Sequence, residues 1–227
     1  MSFVVAIDGP AGSGKGTITK LVAKKLNLVN IDTGAMYRCV TVYMLRNNIK
    51  LNDKPKIEKM LKEINIEFKS ENNIEKVYLN HEDVTKEIRK KEVNDLVSQA
   101  SHVLEIRESI TDLSRKVAEG KKVIMEGRDI GTNVFPNADL KIYLDATPEE
   151  RANRRMKQNK EKGIDASYQE ILENIKFRDY NDKTSEIAPL KRAEDAIYID
   201  TTNMTIEEVV NNVIEIINKK RQKSTRK

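Results

Sequence analysis

Nine residues near the start of the chain narrow what it can fold into. Gly9-Pro10-Ala11-Gly12-Ser13-Gly14-Lys15-Gly16-Thr17 follow an apolar run, Phe3–Asp8, and open a stretch that reads as a helix, Lys15–Leu26. Strand, glycine-rich turn and helix in that order form the context of a phosphate-binding loop. Glycines let backbone N–H groups approach phosphate oxygens, because a Cβ would obstruct the tight turn. The helix N-terminus adds the positive end of its dipole, and Lys15 can reach the β- and γ-phosphates as a point charge. All nine residues are therefore assigned to nucleotide phosphates. One position departs from the common pattern: Gly16 follows the lysine, and the hydroxyl that would ligate a metal comes one residue later, at Thr17. Thr17 is the metal candidate through water, or else contacts a phosphate.

The rest of the chain supplies the sheet that such a loop needs. Four further apolar runs read as strands: Val29–Asp32, Lys122–Glu126, Leu140–Asp145 and Ala196–Asp200. Near-continuous apolar runs fit strands buried on both faces of a parallel sheet. Helical patterns over Pro148–Lys162, Ser167–Asp182 and Thr205–Lys220 alternate with them, as βαβ units require. The stretch from Thr33 to Lys121 is too long for one crossover. Gly34–Asn47 reads as a helix. Ile64, Ile66 and Phe68 alternate, Asn72-Asn73 offers a turn, and Val77 and Leu79 mark a returning strand. Lys86–Glu119 contains neither Gly nor Pro and carries one apolar stripe, read as a long helix closed by Gly120. The expected architecture is α/β, a three-layer P-loop fold with a five-stranded parallel sheet, an α+β insertion and a small helical lid. Its core is 1–32 and 120–227, with the lid at about 151–163 and the insertion at 33–119.

Charge sharpens the functional reading. The formal net charge is +5, yet Lys219–Lys227 holds six basic residues and no acidic one, which leaves the remainder at −1. The surplus belongs to a tail, expected to be disordered beyond Ile217, and a polyanionic nucleic-acid partner is not indicated. No apolar run is long enough for a membrane span, no secretory signal is expected at the N-terminus, and the single cysteine, Cys39, excludes an internal disulfide framework. A cytoplasmic location follows as an expectation. His81 and His102 are the only histidines, so neither a histidine-rich metal site nor a histidine base is favoured.

A phosphate loop leaves GTPases, motor-like ATPases and small-molecule kinases open. No Asn-Lys-x-Asp or Asp-x-x-Gly switch is present. The third strand instead leads into Gly127-Arg128-Asp129-Ile130-Gly131-Thr132, which places an arginine and an aspartate at the carboxyl edge of the sheet, where ligands bind in such folds. That segment, the loop, Asp32-Thr33-Gly34-Ala35-Met36-Tyr37-Arg38, Leu144-Asp145-Ala146, Glu150-Arg151-Ala152-Asn153-Arg154-Arg155, Arg178-Asp179 and Ala188-Pro189-Leu190 together resemble the bacterial-type cytidylate kinases. The resemblance covers almost the whole chain. A glycine after the loop lysine is likewise typical of nucleoside monophosphate kinases.

The resemblance implies ATP as donor, CMP or dCMP as acceptor, Mg²⁺ as cofactor and a monomer. It gives the loop, Arg151, Arg154 and Arg155 to ATP, the three arginines closing over it from the lid. It gives Thr33, Arg38, Ser98, Arg107, Arg128, Asp129, Arg178 and Asp182 to CMP, with Lys15, Arg128 and Arg178 catalytic. The family commonly has an arginine three residues after the aspartate matching Asp182; here that position is Ser185, and Lys183 is the nearby cation expected to compensate. Two competing readings are a related kinase with another acceptor, such as UMP, and an RNA-associated P-loop binding protein in which nucleotide is a switch.

Overall fold

The chain divides into two compact units, Met1–Ile31 with Ala118–Lys227, and Asp32–Val117. The computed structural model describes residues 2–71, 74–161 and 163–225. In chain order the elements are β1 (Phe3–Asp8), α1 (Lys15–Leu26), β2 (Val29–Asp32), α2 (Thr33–Arg46), α3 (Lys54–Glu63), β3 (Ile66–Glu71), β4 (Ile74–Leu79) and β5 (Glu82–Asp83). They continue as α4 (Lys91–Ala100), α5 (Leu104–Ala118), β6 (Lys122–Gly127), β7 (Leu140–Asp145), α6 (Pro148–Glu161), α7 (Tyr168–Thr184), β8 (Ile197–Asp200) and α8 (Ile206–Thr225).

The first unit is built on a five-stranded parallel sheet with helices on both sides, in the order β2-β6-β1-β7-β8. β1 lies at its centre because it is apolar on both faces: Val5, Ala6 and Ile7 are fully buried. Strand side chains alternate between faces, so Phe3, Val5 and Ile7 share one layer with Ile142 and Leu144 of β7. Ile18 and Val22 of α1 and Val209, Val213 and Ile217 of α8 close over that layer. Each such burial contributes about 1.5–3 kcal/mol, enough for this face to fix both helices. The pairing register runs Ile7 with Glu126 and Asp8 with Gly127. The loop after β1 therefore starts beside the segment that carries Arg128.

α8 corrects one expectation. The basic segment after Ile217 is helical as far as Thr225 among the described residues, not disordered. Helix propagation costs little once Val209, Val213 and Ile217 have anchored the start. Lys219 pairs with Glu215 one turn earlier, and the Arg221 guanidinium lies 5.0 Å from the Phe3 ring centre. Basic groups near a helix C-terminus also suit its dipole.

α6 and α7 pack on each other and share a small core of Ala152, Ile171, Leu172 and Ile175. Between them, Gly163 takes a left-handed φ of 66°, and Ser167 starts α7 with a reciprocal capping box to Glu170.

The second unit joins helices to a three-stranded antiparallel sheet, β3-β4-β5. Ile66 faces Leu79 and Phe68 faces Val77 across it; the turn read at Asn72-Asn73 lies outside the described residues. The expected long helix between Lys86 and Glu119 is instead a 3-10 turn at Glu87–Arg89 followed by two helices, α4 and α5. The break is local side-chain chemistry. Ser101 Oγ donates to the Ser98 carbonyl at 2.8 Å, and His102 Nδ1 lies 2.6 Å from the same oxygen. These groups replace the backbone donors that would continue the helix.

Candidate active site

In the first unit, the phosphate loop is shaped by what its glycines must avoid. A Cβ on Gly9 would lie 2.0 Å from the Leu144 carbonyl oxygen, so only glycine fits where the loop leaves β1 and passes β7. Gly14, at φ 90°, forms the N-terminal cap of α1 in a conformation that side chains resist. Lys15 is 5% exposed. Its ammonium donates to the Gly9 and Pro10 carbonyls at 2.7 Å each and to Ser13 Oγ at 3.3 Å. Burial, joined by the nearby Arg128 charge, pushes Lys15 down to about 7.

Asp8 and Glu126 belong to the same neighbourhood, and sequence reasoning assigns neither a role in the site. Asp8 ends β1 and accepts the backbone N–H groups of Ile130 and Gly131 at 2.8 and 2.7 Å. It thereby ties the loop strand to the turn after β6, which winds as a π-helix over Ile130–Val134. Burial raises its carboxyl to about 6 against the lowering pull of those two N–H groups. Glu126 is 7% exposed and accepts from Thr19 Oγ1 at 3.1 Å. A Cβ on Gly16 would sit 3.2 Å from Glu126 Oε1. The unusual glycine after the lysine thus stands where a side chain would crowd a buried carboxylate. Each signal was visible in the sequence as an acidic residue ending an apolar run.

Arg128 donates from Nε to Asp182 Oδ2 at 2.9 Å. The structure thus brings together two of the residues expected at CMP. Asp129 is 5% exposed and accepts from Asn133 Nδ2 at 3.0 Å. Arg178, on α7 with Asp182, is half-buried. The three arginines of α6 differ sharply. Arg151 is 2% exposed and its fork faces protein: Nε donates to the Ala146 carbonyl, one terminal nitrogen to Ala11 O and Asp179 Oδ1, the other to Asp179 Oδ2. Arg154 donates to Glu150 and to both Oγ1 and the carbonyl of Thr201, and lies near Gly14. Arg155 is exposed, and so is Thr17, the metal candidate.

The second unit groups four of its own candidates around α2 and the α4–α5 break. Asp32 caps α2 by accepting the Ala35 N–H at 3.0 Å, and Thr33, the first residue of that helix, is buried. Gly34 leaves room for Arg38: a Cβ there would meet Arg38 at 3.0 Å. The Arg107 guanidinium lies 5.6 Å from the Tyr37 ring centre, and its Nε donates to the Ser101 carbonyl at 3.0 Å. Tyr37 thus takes part in a cation–π contact. Ser98 presents its carbonyl to the break itself. An uninterrupted helix could not fold Arg107 back onto Ser101, so the missed break is what gathers these residues.

Comparison with known proteins accords with this arrangement. A cytidylate kinase of Fusobacterium nucleatum subsp. nucleatum is 50% identical over 218 residues, which cover 96% of this chain and 98% of that one. A cytidylate kinase of Clostridioides difficile is 46% identical over 217 residues, covering 96% and 99%. A crystal structure of an uncharacterized protein from Eubacterium ventriosum superposes with a TM-score of 0.50 at 14% identity, over 95% of this chain and 98% of that one, a likeness of fold alone. The family model described as Cytidylate kinase matches residues 5–219. With a loop lysine, a Gly-Arg-Asp strand end and near-complete coverage all pointing one way, the chain belongs to the cytidylate kinase family.

Proposed function

We propose that the chain transfers the γ-phosphoryl group of ATP to CMP or dCMP, giving ADP and CDP or dCDP. One structural observation carries this reading: Asp8 of the loop strand pairs with Gly127, so the phosphate loop and Arg128 leave the same sheet edge side by side. Two polyanions must approach each other in phosphoryl transfer, and such an edge supplies cations to both.

The attacking atom is an oxygen of the CMP phosphate. With a second pKa near 6 it is already largely dianionic at neutral pH, so no side chain has to remove a proton. The oxygen attacks the γ-phosphorus in line as the bond to ADP breaks. Lys15, Arg128 and Arg178 stabilise the charge on the moving group and the leaving oxygen. Thr33, Arg38, Ser98, Arg107, Asp129 and Asp182 position CMP; the loop, Arg154 and Arg155 position ATP, and Arg151 belongs with them. Mg²⁺ would neutralise phosphate charge; the buried carboxylate of Glu126 beside Gly16 and the Thr17 hydroxyl are oxygen donors of the kind it prefers. No described helix is long and apolar enough to cross a membrane, and we place the enzyme in the cytoplasm as a monomer.

The decisive measurement is coupled ATP turnover with CMP, dCMP, UMP and AMP as rival acceptors. CMP or dCMP should be preferred. Equal or higher turnover with UMP or AMP would assign a different acceptor to the same machinery, and ATP hydrolysis with no acceptor preference would remove the kinase reading.

A further inference from the structure

Arg151 and Asp179 form a buried ion pair, 2% and 8% exposed, where three segments of the first unit meet. Arg151 stands on α6, Asp179 on α7, and the third segment is the phosphate loop, reached through the Ala11 carbonyl at 3.0 Å. Four of the five N–H donors of the guanidinium are occupied by protein oxygens. The stem of Arg151 also lies against Gly12, where an added Cβ would be 3.4 Å from Arg151 Cβ.

The Ala11 contact has a geometric consequence. A trans peptide is planar, and its C=O and N–H point in opposite directions. Holding the Ala11 carbonyl on Arg151 therefore turns the Gly12 N–H away from Arg151, and backbone N–H groups of such loops are what bind phosphate. The Arg151 fork is itself held in place by the bidentate carboxylate of Asp179 and by the Ala146 carbonyl at 2.9 Å. Asp179 sits on α7 directly after Arg178 and one turn before Asp182, which holds Arg128. One helix thus carries a residue reaching toward the loop, one paired with the arginine of the sheet edge, and Arg178.

We propose that Asp179 is a positioning residue for ATP: through Arg151 it orients the Ala11–Gly12 peptide of the phosphate loop, without touching nucleotide itself. The proposal rests on the reading of residues 9–17 as the ATP loop.

The test is steady-state kinetics of the full chain with ATP and CMP varied separately, together with thermal unfolding. Asp179→Asn keeps the size of the side chain and leaves Arg151 in place, but removes the charge that clamps it. KM for ATP should rise about tenfold, since small misplacements of positioning groups have large kinetic effects. KM for CMP should stay within about twofold. A second variant, Arg151→Met with Asp179→Leu, removes both charges at once, a replacement that folded proteins often accept without loss of stability. It should melt near the parent and keep the raised KM for ATP. The proposal is overturned if the double variant recovers both stability and the parental KM for ATP, because the pair would then be structural only. A fall in KM for ATP in Asp179→Asn would also overturn it, since a released arginine would then be reaching nucleotide. So would equal changes in both KM values, or the collapse of both variants. A parent that does not phosphorylate CMP would count against the functional reading instead, a failure distinguishable from these.

Discussion

On the proposed reading, the two units would handle anions by different physical means. In the first, phosphate recognition is built from backbone: glycines at 9 and 14 set the path of the loop, and buried groups such as Lys15, Asp8 and Arg151 are pinned by protein oxygens or N–H groups on several sides. In the second, the candidates are side chains set on helices, with Arg107 lying over Tyr37 and folded back by the break between α4 and α5. A backbone device tolerates few alternatives and leaves a dense, contiguous signature. A side-chain device needs only a few residues at the right places, spread over some seventy positions from Arg38 to Arg107.

The strongest challenge to this contrast is Lys15→Ala. It should lower kcat by about a hundredfold or more, because Lys15 acts on charge that develops during transfer, while circular dichroism and the melting temperature show an intact fold. Survival of activity within a few-fold would show that the backbone alone suffices. On the other side, Arg107→Met should raise KM for CMP by about tenfold, in line with loss of a charge-assisted contact of roughly 1.5 kcal/mol, and leave KM for ATP unchanged. A matching change in KM for ATP would erase the division of labour between the units.

A pH experiment separates the two further. Lys15 sits at about 7 because burial disfavours its charge, and phosphate oxygens around it would restore the ordinary higher value. Binding of ATP at pH 8 should therefore take up protons, a fraction of one per site, detected by calorimetry in buffers of different ionisation enthalpy. Lys15→Ala should abolish most of that uptake. The same depressed value means that the free protein gains stability as pH rises from about 7 toward the unfolded-chain pKa of a lysine, near 10.4. CMP binding should show no such Lys15-linked uptake.

Smaller effects are expected at the ends of the first unit's helices. Ser185, where the family resemblance places an arginine, is tied into the turn after α7 by its bond to the Ile187 carbonyl at 2.7 Å, and Lys183 beside it is exposed. Lys183→Met should reduce kcat a few-fold; an unchanged kcat would remove the idea that it compensates. Deleting residues 219–227 should leave CMP phosphorylation intact to within about twofold, and lower the melting temperature only slightly through loss of the Arg221–Phe3 contact.

Legibility followed the same division. All five strands of the parallel sheet could be read from apolar runs, with ends that agree to within a residue, because strands buried on both faces have little compositional freedom. The phosphate loop was explicit in its spacing. α3 was not, since Lys54–Glu63 is mostly charged and buries only Ile57 and Met60; its start is marked by Asp53, whose side chain accepts the Lys56 N–H. The α4–α5 break escaped because Ser101 and His102 carry no Gly or Pro punctuation. Asp179 follows Arg178 and Glu126 ends an apolar run, yet their partners, Arg151 and Thr19, are 28 and 107 residues away, and no local pattern announces pairs so far apart.

The crowding at Gly9 also limits the gene. Every missense change in a glycine codon adds a carbon at Cα, and at residue 9 that carbon would overlap the Leu144 carbonyl of the neighbouring strand. The position has no neutral neighbours in sequence space. Variation around the loop must enter elsewhere, at places such as Lys24 or Lys25 of α1 where the side chain faces solvent and alternatives remain open to selection.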